Sequence, residues 1–243
     1  VSAVAPEVEG RVRESADALI AQTGMVRVDV DVAFPSLAAQ WMMGNLATLL
    51  ADLGDRWPAC AADLTDEVAV GLYMSQSLYN LNTAAVAEAL RLQAYEAMAR
   101  VFDDVDLVIA ATNPDVAFAA DAATSATKTS FVDAARTSAA AKYAVRGVLG
   151  AIRAVTAAFP RLPARLLDGV SRRMPDLVNM GALTMVSNIC GNPAVSIPGG
   201  LVDGLPVGVQ VLARHHDDGL LFDVALAAER CMPWPLVAPH APV

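Results

Sequence analysis

The chain has 243 residues, 55% of them hydrophobic and 18% charged, and a formal net charge of −9. That length and composition exclude a disordered chain and allow a core that needs no staples. The acidic balance argues against a nucleic-acid partner and against anionic membrane surfaces, since both select basic patches.

In chain order, residues Pro6 to Gln22 carry Val8, Val12, Leu19 and Ile20 on roughly one helical face, with Gly24 as a stop. Val26 to Val32 alternates strictly between valine and Arg27, Asp29 or Asp31, which predicts a half-buried strand near a sheet edge. Pro35 to Leu53 predicts a helix ending at Gly54. Thr65 to Phe102 predicts a long helical region, its second part built from strong helix formers. Asp106 to Ala111 is a short continuous apolar run, as expected of a central parallel strand covered on both faces. Thr112, Asn113 and Pro114 follow at its carboxyl end, where α/β proteins tend to place ligands.

Phe131 to Phe159 predicts a further alanine-rich helix, and Pro160 to Pro175 a basic connection holding at most one short helix. Met180 to Asn188 is helical by pattern and stops at Gly191, Asn192 and Pro193. Ala194 to Ile197 is a strand cut short by Pro198, Gly199 and Gly200. Asp203-Gly204 between two apolar runs predicts a hairpin, with Val207 to Ala213 as the returning strand. Asp217 and Asp218 cap a last helix through Glu229, and Pro233 to Val243 is an extended tail. The order predicts an α/β fold, a mixed β-sheet layered with helices, in one partial domain without repeat or linker.

A mean hydropathy of +0.43 raises the question of a membrane span. The longest charge-free run, Leu177 to Val202, holds Asn179, Asn188, Asn192, two prolines and several glycines, so it is expected in a protein core and not in lipid. Cys60, Cys190 and Cys231 are far apart and lack metal-ligand spacing, which fits reduced thiols in the cytoplasm. The opening residues have no basic stretch followed by an apolar one, so no signal peptide is expected there.

Catalytic motifs are missing. There is no G-x-S-x-G elbow, no H-E-x-x-H and no P-loop. The neighbours His215 and His216 would point to opposite sides of a strand, and with His240 they make no expected metal site. Lysine occurs only at Lys128 and Lys142. Lys128-Thr129-Ser130 places a lysine beside hydroxyls, in what the pattern makes a solvated loop. The stretch from Pro198 to Gly208 is glycine-rich but lacks the following helix N-terminus that would bind an anion. No metal or organic cofactor is expected.

Gly191 to Pro198, followed by Gly204 to Gln210, resembles the G-x-P-A-[IV]-S-[IV]-P … G-L-P-[VI]-G-[VL]-Q pattern near the end of amidase-signature enzymes. Asp106 to Pro114 resembles that family's strand and following T-P-T-T-P-like loop, though this chain reads Ala-Ala-Thr-Asn-Pro. The resemblance implies the C-terminal portion of the amidase-signature fold. It implies hydrolysis of carboxamides by a Ser–cis-Ser–Lys triad that lies in the preceding half, because no two serines are adjacent here. No catalytic residue is expected in this chain. Thr112, Asn113, Pro114, Cys190, Gly191 and Asn192 are expected to line the substrate pocket. The expected partners are the missing N-terminal half and a small-molecule amide, with a homodimer or aggregation if the chain is isolated. The alternative is a non-catalytic binding or structural protein that reuses the half-fold. The chain opens on valine in mid-pattern, which favours a piece of a longer protein.

Overall fold

A computed structural model describes residues 4–30, 32–35, 37–118, 139–173, 181 and 183–234. They form two compact units. One comprises Val1–Phe34, Ala94–Ala117 and Asn179–Val243; the other comprises Pro35–Gln93 and Phe118–Val178.

The first unit is built on a three-stranded sheet of β1 (Leu107–Ala111), β2 (Ala194–Val202) and β3 (Leu205–Ala213) in the order β1-β3-β2. Both pairings are antiparallel, with Ala111 opposite Val209 and Ser196 opposite Gln210. The apolar run of β1 predicts a central parallel strand. Among the described strands it instead pairs only with β3, antiparallel and at the sheet edge, with all but Ala111 of intermediate burial. The parallel member that a mixed sheet requires is not among the described strands.

Two helices pack against this sheet and each other: α1 (Pro6–Thr23) and α8 (Asp218–Cys231). Val8, Val12 and Leu19 of α1 meet Leu221, Val224 and Ala228 of α8 and the odd-numbered residues Val207, Val209, Val211 and Ala213 of β3. The period of two in β3 and of three to four in the helices is what brings these side chains to one interior. Leu19 is fully buried, so its replacement by alanine would leave a cavity costing roughly 2–5 kcal/mol.

The hairpin between β2 and β3 turns at Asp203 (φ 50°) and Gly204 (φ 80°). Two consecutive positive φ values are the mirror-image turn that matches strand twist, and Asp-Gly is the pair that tolerates them. β2 runs past Ile197 through a register shift between Pro198 and Gly200. This bulge presents the Gly199 carbonyl to the buried Ser15 hydroxyl, which donates to it at 2.8 Å.

Residues 25–30 form no strand and pair with no described strand, and Val26 is 84% exposed and Val28 50% exposed. The half-buried strand expected at Val26 to Val32 is therefore not formed here. The alternation is present, but no described strand pairs with it.

The second unit is helical. It holds α2 (Ala38–Leu53), α3 (Asp66–Leu78), the start of α4 (Leu81–Asp104), α5 (Ala139–Ala158) and α6 (Leu162–Arg173). The long helical region expected from Thr65 to Phe102 is two helices that meet at Tyr79-Asn80, and its second part is continuous as expected. Asn80 causes the break. Its Oδ1 accepts from the Asn82 and Thr83 N–H groups, while its own N–H donates to Thr83 Oγ1 at 2.8 Å. That reciprocal arrangement caps a new helix. α6 fills most of the expected connection from Pro160 to Pro175. Lys128-Thr129-Ser130, His240 and the tail from residue 235 lie outside the described residues.

Candidate functional site

The six sequence-predicted site residues all belong to the sheet unit, but they form two clusters. Thr112 follows β1 at the level of Gly208, whose carbonyl accepts its N–H at 2.9 Å. Asn192 precedes β2 at the level of Ala213. Five to six strand residues separate these levels, or roughly 17–20 Å along the strand at about 3.4 Å per residue.

At the first end, the Thr112 hydroxyl lies 2.7 Å from the Ser196 hydroxyl, across β3. The strand between them passes at Gly208. A β-carbon there would stand 2.6 Å from Thr112 Oγ1 and 2.9 Å from Ser196 Oγ. Only glycine lets the two outer strands touch over the middle one. The pair sits on the face opposite to Val207 and Val209, hence away from α1 and α8. Gln210 shares that face. It is buried and donates to the Leu183 carbonyl at 3.1 Å. Asn113 is exposed, and Pro114 is buried with its carbonyl accepting the Ala5 N–H at 2.8 Å.

At the second end, α7 (Met185–Cys190) stops at Gly191, whose φ of 76° and N–H bond to the Ser187 carbonyl close the helix. Asn192 Nδ2 donates to the Ala213 carbonyl at 2.9 Å, tying this turn to the end of β3. Its Oδ1 is buried without a hydrogen-bond partner. The Cys190 side chain is interior, the residue 5% exposed, and its carbonyl lies 2.9 Å from His215 Nε2. His215 and His216 are exposed at the exit of β3, and the Tyr95 ring lies beside His215 at 5.6 Å. Among the described residues no group of three or more His, Cys, Asp or Glu side chains is placed to hold a metal.

Sequence reasoning missed Ser196 and Arg214. Ser196 was legible only as the serine inside the closing motif. The Arg214 guanidinium donates to the Phe102 carbonyl from Nε at 3.0 Å and Nη2 at 2.7 Å, to the Val105 carbonyl at 3.1 Å and to Asp106 at 3.0 Å. It satisfies the unpaired carbonyls where α4 ends and fixes the start of β1. An arginine just past a strand carries no local sign of such a partner, because Phe102 is 112 residues away.

No family model matches the chain. Among curated relatives, it is 42% identical over 65 residues to the A-type component of the Glutamyl-tRNA(Gln) amidotransferase of Lactobacillus gasseri, covering 26% of this chain and 14% of that protein. It is 53% identical over 47 residues to the same component of the Thermoanaerobacter pseudethanolicus enzyme, covering 19% and 10%. Among solved structures, it matches a bacterial aryl acylamidase of the amidase-signature enzymes at a TM-score of 0.61 and 19% identity, over 96% of this chain and 42% of that one. It matches 6-aminohexanoate cyclic dimer hydrolase at 0.62 and 21%, over 98% and 44%. The chain therefore spans less than half the length of the structures it matches.

Proposed function

We propose that this chain is the C-terminal, site-shaping portion of an amidase of the amidase-signature family, a reading supported by its sequence relatives and its fold matches. The whole enzyme would hydrolyse carbon–nitrogen bonds of small-molecule carboxamides by a Ser–Ser–Lys mechanism. One observation carries the reading. The fold match runs over 96–98% of the chain, yet the sequence has no adjacent serines and only two lysines. A serine is a weak nucleophile until a neighbouring base activates it, so the chain supplies scaffold and not attack.

Both compact units then belong to one partial domain, since the match runs through both. Thr112 and Asn113, with Ser196 added, are the residues we assign to the substrate-facing wall: the Thr112 and Ser196 hydroxyls lie on the sheet face away from α1 and α8, and Asn113 follows Thr112 and is exposed. Cys190, Gly191 and Asn192 are assigned to holding the far end of the sheet. The reading includes a small amide as substrate, the preceding half of the domain as partner, and a cytoplasmic setting. Three cysteines far apart in the sequence, without metal-ligand spacing, support that setting. No described helix is long and apolar enough to cross a membrane.

A fluorophosphonate, which labels only activated serines, tests the reading. The purified chain should remain unlabelled. Stoichiometric labelling of any serine overturns it. A non-catalytic binding protein built on the same part-fold is the competing reading. A complementing half that restores labelling on its own serine counts against that competitor.

A further inference from the structure

The net charge of −9 is not spread evenly along the chain. Between residues 146 and 173 there are six arginines, Arg146, Arg153, Arg161, Arg165, Arg172 and Arg173, and one carboxylate, Asp168. This stretch is most of α5 and all of α6, in the helical unit. Elsewhere arginines have acidic neighbours: Arg11 pairs with Glu14, Arg13 with Glu9, Arg91 with Glu88 and Arg214 with Asp106. Arg153, Arg161 and Arg165 are exposed, and none of them is in an ion pair among the described residues. The whole-chain balance therefore hides a local cationic surface.

Large apolar side chains stand among these arginines. Phe159, in the connection from α5 to α6, is 65% exposed, and Leu166, beside Arg165, is 57% exposed. Leu81, at the start of α4, is 87% exposed. Asn82 Nδ2 donates to the Ala157 carbonyl at 3.0 Å, and Asn80 Nδ2 donates to Thr156 Oγ1 at 3.4 Å. These bonds hold the start of α4 against the end of α5, so Leu81 and Phe159 share one corner of the unit.

Exposed apolar side chains among unpaired arginines match the two layers of a membrane interface, where apolar groups enter the acyl boundary and cations meet anionic headgroups. A nucleic acid would engage the arginines but offers no apolar layer to Leu81 or Leu166. We propose that the corner formed by α5, α6 and the start of α4 docks this chain on the surface of an anionic lipid bilayer. Leu81 and Phe159 enter below the headgroups, and Arg153, Arg161 and Arg165 pair with lipid phosphates. This is adsorption and not crossing, since no described helix is long and apolar enough to span a membrane. It does not depend on the reading of the chain as part of an amidase.

Vesicle flotation of the full 243-residue chain tests this, because bound protein rises with the lipid while aggregate sinks. The chain should rise with vesicles of phosphatidylglycerol and phosphatidylcholine in equal parts, stay down with phosphatidylcholine alone, and be released by high salt. An arginine near an anionic surface contributes about fivefold to binding, so joint Arg153→Gln, Arg161→Gln and Arg165→Gln should lower the partition coefficient roughly a hundredfold. Joint Arg11→Gln and Arg13→Gln, on α1 of the sheet unit, should have less than about a tenth of that effect. Phe159→Ser should weaken binding about tenfold or more. All these side chains are exposed, so folding is not at stake. Phe159→Trp should add fluorescence quenching by acyl-brominated lipid beyond that of the native Trp41, Trp57 and Trp234. No flotation with the mixed vesicles, equal flotation with phosphatidylcholine alone, or an unquenched Phe159→Trp overturns the proposal. So does binding to RNA or polyglutamate that is as tight and is indifferent to Phe159→Ser, because the corner then answers to charge or to another macromolecule and not to a bilayer.

Discussion

The Thr112 and Ser196 hydroxyls meet at 2.7 Å over the backbone of Gly208, joining the two outer strands of the sheet across its middle strand. The contact exists because position 208 has no side chain. Gly208→Ala would place a β-carbon 2.6 Å and 2.9 Å from the two oxygens. The β-carbon belongs to backbone-fixed geometry, so both hydroxyls must move. We expect a loss of about 1–3 kcal/mol, the usual cost of overpacking, seen as a lower urea midpoint with an unchanged slope. An unchanged midpoint would show that the strands part without cost.

The hydroxyl contact itself is worth less. Ser196 is exposed, so water can replace a lost partner. A double-mutant cycle of Thr112→Val and Ser196→Ala should give a coupling of about 0.5 kcal/mol, at the low end for a hydrogen bond. The single substitutions should leave the Thr112 N–H bond to Gly208 in place. Zero coupling would mean that the pair is a consequence of the strand geometry and not a contributor to it.

Arg214 separates charge from hydrogen bonding. Its ion pair with Asp106 is exposed, so Asp106→Asn should cost less than about 1 kcal/mol. Arg214→Met also removes the donors to the Phe102 and Val105 carbonyls. Losing a charged donor from helix-end carbonyls should cost about 1–3 kcal/mol. Thermal or urea unfolding checks both. Equal effects of the two substitutions would contradict the assignment of Arg214 as the cap of α4.

Asn80 starts α4, and Asn80→Ala should destabilise by about 1 kcal/mol with some loss of helical circular dichroism. Asn80→Asp keeps the accepting oxygen and should recover most of the loss. If alanine is as good as asparagine, the break between α3 and α4 has another cause.

Local features were legible from sequence wherever the deciding partners are close in the chain. The Asp203-Gly204 hairpin, the stop at Gly191 and the helix from Asp218 each depend on residues within one turn of each other. The break at Asn80 escaped because helix propensity over residues 83–102 is strong and the cap lies just outside it. β1 was misplaced as a central strand because its apolar run reports burial but not which strands lie beside it. Val26 to Val32 shows the same limit from the other side, since alternation marks a strand but does not say which strand pairs with it, and none of the described strands does. The six candidate site residues were grouped by motif. The antiparallel register then put Thr112 and Asn192 at opposite ends of the sheet, which no spacing along the chain could reveal.

The central claim is that this chain shapes an amidase site without supplying its nucleophile or base. The direct measurement is hydrolysis of an aryl anilide by the purified 243-residue chain, followed by release of the free aniline. The chain should give a rate equal to buffer alone at every enzyme concentration. Release that scales with chain concentration, and that survives removal of trace contaminants, would contradict it.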